Sequence, residues 1–101
     1  MEATIRKEDD NKVILTLNGR LDTSVTTQTE KEIEPLFEYN NCQIIIDCTQ
    51  LDYISSSGLR LLMAINQQCT ANHCNLYIKG LQEKVLDVFT TTGFVHLFEF
   101  I

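Results

Sequence analysis

The sequence predicts a single α/β domain: a mixed sheet of four to five strands flanked by helices, in the order β-β-α-β-α-β-α-β. Three observations predict it. The run "CQIIIDCT" holds three consecutive isoleucines with no polar alternation. A strand buried on both faces looks like this, as in a parallel sheet with helices on both sides. Amphipathic stretches alternate with such apolar runs, which calls for right-handed crossovers. No Pro/Gly/Ser-rich linker, low-complexity tract or internal repeat divides the 101 residues, so residues 1–101 make one domain with its own core.

The elements follow in order. "ATIRKE" is a short mixed strand and "DDNK" a turn by composition. "KVILTLNG", residues 12–19, is apolar, β-branched and closed by Asn-Gly, so the two strands form a hairpin. In "DTSVTTQTEKEIEPLFEYN" the residues Val25, Ile33, Leu36 and Phe37 make a sparse helical stripe, with Glu30, Glu32 and Glu34 on a solvated acidic face. Asp22, Thr23 and Ser24 are all candidate N-caps, and Pro35 kinks or ends the helix. The isoleucine strand covers residues 42–49. A helix over 57–70 carries Leu59, Leu62, Met63 and Ile65. "NLYIKG" is a short strand, and "QEKVLDVFTTTG" a helix with Val85, Leu86, Val88 and Phe89 on one side and Gly93 as C-cap. The tail "FVHLFEFI" alternates imperfectly and closes the sheet edge or packs on it.

Composition narrows the function. A net charge of −6 with no Lys/Arg cluster argues against nucleic acid, whose phosphates require a basic stripe. No apolar run approaches the ~20 residues that span a bilayer, so no membrane insertion is expected. "MEATIRKEDD" lacks the apolar core of a signal peptide, which points to the cytoplasm. Cys42, Cys48, Cys69 and Cys74 form no CxxC pair, and only His73 stands beside one of them. They are expected to be free thiols with no metal bound.

In open α/β sheets functional groups collect at the carboxyl ends of strands. Two loops compete for that place, at 20–24 and 47–58. The second holds "SSSG" where a strand hands over to a helix. One reading is N-capping, in which a serine oxygen accepts from an unpaired backbone N–H and contributes about 1 kcal/mol. The other is an anion site, including a phosphate on serine itself, favoured by those N–H groups and the helix dipole. Gly58 would allow close backbone approach or tight packing against the sheet. A hydrolase is not indicated: there is no Gly-x-Ser-x-Gly elbow, and neither His73 nor His96 has an orienting carboxylate in sequence. Phosphate-cradling and dinucleotide motifs are absent too, so no cofactor and no catalytic residue are expected.

"IIIDCTQLDYISSSGLRLL" resembles the signature of the STAS domain family, anti-sigma factor antagonist type. "LNGRLDTSV" resembles that family's second-strand exit, and "VFTTTGFVHLFEF" its C-terminal helix, Thr-Gly turn and last strand. The match runs in order along essentially the whole chain.

The resemblance implies a phosphoacceptor at Ser56, the first serine of Ser-Ser-Gly, with Ser55 as rival. Ser57 and Gly58 match the next two positions, and Asp22 with its neighbour Thr23 lines the phosphosite loop. Asp47 matches the aspartate closing the central strand. Two departures stand out: Ser55 replaces the usual aspartate, and Arg60 stands where a small residue is common. Of the serines, Ser57 is expected to cap the helix. The resemblance further implies a non-enzymatic partner switch. Unmodified protein would bind a serine-kinase anti-sigma factor of histidine-kinase-like ATPase fold, freeing a sigma factor for transcription. Phosphorylation from ATP would break that complex, and a PP2C-type phosphatase would reset it. The alternative is a constitutive docking subunit of an ABC-type lipid transporter or a signalling scaffold.

Overall fold

The hairpin forms where strand pattern and polar turn meet: β1 (Glu2–Asp9) runs antiparallel to β2 (Lys12–Leu21). The computed structural model describes every residue, Met1–Ile101, and continues with α1 (Thr26–Ile33), β3 (Gln43–Ile54), α2 (Ser56–Ala71), β4 (Asn75–Lys79), α3 (Glu83–Thr92) and β5 (Glu99–Phe100). The five strands lie in the order β1-β2-β3-β4-β5, and every pair after the hairpin is parallel. The expected element order and mixed α/β sheet are therefore present.

The core sits on one side of the sheet. Val13, Leu15 and Leu17 of β2, Ile44, Ile46 and Cys48 of β3, and Leu76 and Ile78 of β4 share one cluster with the buried hydrophobic residues of all three helices. Each fully buried aliphatic side chain there stabilises by about 2 kcal/mol. Every crossover steps the same way across the sheet, and right-handed connections in one direction put all helices on one face. This corrects the expectation of helices on both sides. Ile14 and Ile45 point away from the core yet keep only 8% and 7% exposure. In the sheet register Arg6 stands opposite Ile14 and Tyr77 opposite Ile45, and cross-strand neighbours of that length are within reach of them. The isoleucine run thus reads correctly as buried, although only one of its two faces packs against the helices.

The central strand is longer than the sequence suggests. It does not close at Asp47 but continues to Ile54 through two bulges against β2. Thr16 pairs with Asp47 while Asn18 pairs with Gln50; Gly19 pairs with Leu51 while Arg20 pairs with Tyr53. Each step adds one residue to β3, so core-facing positions become Cys48, Leu51 and Ile54, three apart. Bulges of this kind bend a strand and re-aim its end. Asp47 takes part in the first one, its Oδ1 accepting from Thr49 N–H at 3.0 Å and Thr49 Oγ1 at 2.6 Å.

The helices show smaller differences. The residue before α1 is Val25, and none of Asp22, Thr23 or Ser24 caps it with a side chain. Pro35 ends the α-helix, and a 3₁₀ turn (Glu34–Glu38) follows and buries Leu36. In α3, Val85 and Phe89 face the core, Val88 is half-buried and Leu86 is exposed. Gly93 closes it at φ 82, a left-handed position suited to glycine. The tail folds as a 3₁₀ turn (Phe94–Leu97) and the edge strand β5, with the rings of Phe98 and Phe100 set edge-on to Phe89.

Candidate functional site

Two parallel strands end side by side, with Leu21 of β2 paired to Ile54 of β3. Their exits therefore meet at one end of the sheet. Ser55 N–H donates to the Leu21 carbonyl at 2.9 Å and adds one rung beyond the strands. Its hydroxyl donates to the same carbonyl at 3.2 Å and accepts from Gly58 N–H at 3.1 Å.

Ser55 is therefore the N-cap of α2, which corrects the assignment of that role to Ser57. The reason is conformational. Ser55 is the last extended residue before the helix, at φ −91 and ψ 172, and from there its oxygen reaches the N–H three residues on. Ser57 already lies inside the helix. Its hydroxyl meets Thr23 Oγ1 at 3.3 Å and receives Arg60 Nη2 at 3.4 Å. Ser56, the first helical residue, is exposed, and its hydroxyl takes no part in this network.

Gly58 explains how the helix comes so close to the sheet. A Cβ there would stand 2.8 Å from Ile54 Cγ1 and 2.9 Å from both Leu21 Cγ and Leu21 O. No larger residue fits without moving the strand ends. The loop after β2 is held by Asp22, whose Oδ1 accepts from Ser24 N–H at 3.0 Å and Ser24 Oγ at 2.6 Å. These bonds, the Ser24 hydroxyl first, hold the Asp22 carboxyl below the usual range despite some opposing desolvation. Asp22 is thus an anion serving its own turn, while Thr23 bridges to the serine loop.

The sequence gives no short-range signal for one contact at this end. Arg20 stacks over the Tyr53 ring, 4.3 Å from its centroid, because the second bulge sets those residues opposite one another. Asp47, by contrast, pairs with Thr16 and Lys79 in mid-sheet. It belongs to the bulge and not to the serine loop.

The cysteines lie elsewhere. All four are buried free thiols, and Cys42 and Cys74 approach to 3.5 Å between sulfurs at the start of β3 and β4. Burial pushes Cys42 up to about 11 and Cys48 and Cys69 up to about 12. No group of three or more His, Cys, Asp or Glu side chains is arranged to hold a metal ion. No helix is long and apolar enough to cross a membrane.

The STAS domain family model matches residues 2–101. BtrV of Bordetella bronchiseptica, whose name describes it as a candidate anti-sigma factor antagonist, is 30% identical over 97% of this chain and 84% of its own. An anti-sigma-B factor antagonist of Staphylococcus epidermidis is 27% identical over 76% of this chain and 71% of its own. Among solved structures, the unphosphorylated anti-sigma factor antagonist SpoIIAA superposes with a TM-score of 0.78 at 19% identity, covering 99% of this chain and 88% of that one. SpoIIAA of Bacillus in its phosphorylated form gives 0.71 at 18% identity, over 99% and 91%. The chain belongs to the STAS domain family. Its named relatives are anti-sigma factor antagonists, which in this family are regulatory proteins and not enzymes.

Proposed function

We propose that residues 1–101 work as one STAS unit, a phosphorylatable anti-sigma factor antagonist that acts in the cytoplasm. In its unmodified form it binds a serine-kinase anti-sigma factor of histidine-kinase-like ATPase fold and so releases a sigma factor. The kinase then transfers the γ-phosphoryl group of ATP to Ser56. A bond forms between Ser56 Oγ and phosphorus, the bond to the β-phosphate oxygen breaks, the hydroxyl proton leaves, and ADP departs. A PP2C-type phosphatase hydrolyses the phosphoserine and resets the switch.

One observation carries this reading. Of three adjacent hydroxyls, Ser55 is committed to Leu21 and Gly58 and Ser57 to Thr23 and Arg60, while Ser56 is exposed and unengaged. A hydroxyl with no bond to break is the one a kinase can take. The existence of SpoIIAA in both forms supports the same reading by kinship. Phosphate there adds roughly −1.5 to −2 charges at a docking surface, which repels acidic partner groups and costs desolvation. Asp22, Thr23, Ser57 and Gly58 shape the loop that meets the partner, and Ser55 acts as cap in place of the family's aspartate.

Incubation with a serine-kinase anti-sigma factor of histidine-kinase-like ATPase fold and ATP, followed by mass spectrometry, tests the proposal. The expected result is one phosphate, on Ser56. Ser56→Ala should keep partner binding and abolish modification, and Ser56→Asp should weaken binding less than phosphate does. Phosphate on Ser55 would overturn the assignment. No phosphate with binding intact would favour the constitutive docking role, in an ABC-type lipid transporter or a scaffold.

A further inference from the structure

Arg60 stands four residues beyond Ser56, and residues four apart share a helix face. Long helical side chains lean towards the N-terminus, and Arg60 does so, its Nη2 reaching 3.4 Å from Ser57 Oγ. No carboxylate balances it. The chain's salt bridge joins Lys7 to Asp10, and the first turn of α2 contains no acidic residue. The other charges of this end are Arg20, stacked on Tyr53, Asp22, bound by Ser24, and Asp52, exposed on β3. A guanidinium without a salt-bridge partner therefore reaches back over the first turn of α2, on the helix face that its spacing shares with the unengaged Ser56.

We propose that Arg60 is the in-chain receptor for a phosphate on Ser56, holding it against the start of its own helix. The inference rests on Ser56 as acceptor and adds what happens to the group once it is there. A guanidinium fork matches two phosphate oxygens, and the unpaired N–H groups at the helix start suit the remaining charge. A phosphate held this way is an ordered dianion instead of a mobile one, so the modified face presents one fixed charge pattern to its partner.

Phosphoserine introduced at position 56 by genetic code expansion needs no kinase, so the test does not depend on the kinase assignment. Phosphorus-31 NMR then follows the second ionisation. The free group titrates near ~6. In the otherwise unchanged chain the value should fall below that. Arg60→Gln should raise it by about 0.5 unit or more, since an opposite charge at close range favours the ionised form. Arg60→Lys should recover part of the shift, keeping charge but losing the fork. Arg60 is exposed, so these variants should fold. Equal titration of the unchanged and Arg60→Gln proteins would overturn the clamp. A kinase that leaves Ser56 unmodified would instead overturn the acceptor reading.

Discussion

The chain contains the same small motif twice. In Asp22-Thr23-Ser24 and Asp47-Cys48-Thr49, the carboxylate accepts from an N–H two residues on at 3.0 Å and from the same residue's hydroxyl at 2.6 Å. Yet the first ends a strand and the second bends one. The middle residue makes the difference: Thr23 is exposed, whereas Cys48 is at 0% exposure in the core. Beyond Thr23 the chain turns into α1. Beyond Cys48 it must return to the sheet, with Leu51 and Ile54 also fully or nearly fully buried. A local hydrogen-bond motif therefore proposes a turn, and burial of the residues after it decides whether the strand stops.

The largest expected effect comes from breaking that burial. Cys48→Ser places a hydroxyl in an apolar site and should cost about 2 kcal/mol, an ordinary value for an unpaired buried polar group. Thr23→Ala, at the equivalent position of the exposed copy, should stay within about 0.5 kcal/mol. Urea denaturation of the two variants makes the comparison. Equal losses would mean that the middle residue does not set the outcome.

The comparison also shows what could be read from sequence. Both motifs look like strand exits, and for Asp22 that is correct. For Asp47 it fails because the two bulges turn a two-residue burial period into three, at Cys48, Leu51 and Ile54. A three-residue spacing matches neither strand nor helix, and the bulges are fixed by pairing with β2, far away in sequence. The serine loop behaves similarly. Its position at a helix start was legible from the serines and Gly58. Which serine caps was not, because that depends on the Leu21 carbonyl, 34 residues away. The one-sided helix layer escaped for the same reason: it depends on the direction in which successive crossovers step across the sheet.

A smaller effect separates the two hydroxyls that close the motifs. Thr49→Val keeps the shape and removes the bond to Asp47 inside a bulge, so it should cost about 1 kcal/mol. Ser24→Ala removes its counterpart from an exposed turn and should cost no more than about 0.5 kcal/mol. Thermal unfolding of the matched pair would show it. If Ser24→Ala proved the more costly, the exposed turn and not the bulge would be the tighter restraint.

The smallest effect is in acid titration, and it tests the motifs as electrostatic units. The hydroxyl bond is the leading cause that holds each carboxyl below its usual value, from Ser24 for Asp22 and from Thr49 for Asp47. A carboxyl whose folded value lies below its unfolded value binds fewer protons in the native state. Its stabilisation is therefore complete above the unfolded value, near ~3.9, and is lost as pH falls through the folded one. Carbon-13 NMR of the side-chain carboxyls should show both groups titrating below the ordinary aspartate range. Ser24→Ala should raise Asp22 alone, and Thr49→Val should raise Asp47 alone. Asp47 should keep part of its depression after Thr49→Val, because the Lys79 and Arg6 charges act on it as well. Asp22 should likewise keep part of its depression after Ser24→Ala, because the backbone N–H groups of Ser24 and Val25 and the Arg20 charge still act on it. If neither substitution moved its partner, the short hydroxyl contacts would be geometric neighbours of the carboxylates and not the cause of their acidity. The burial of Cys48 would then carry the whole difference between the strand that ends and the strand that bends.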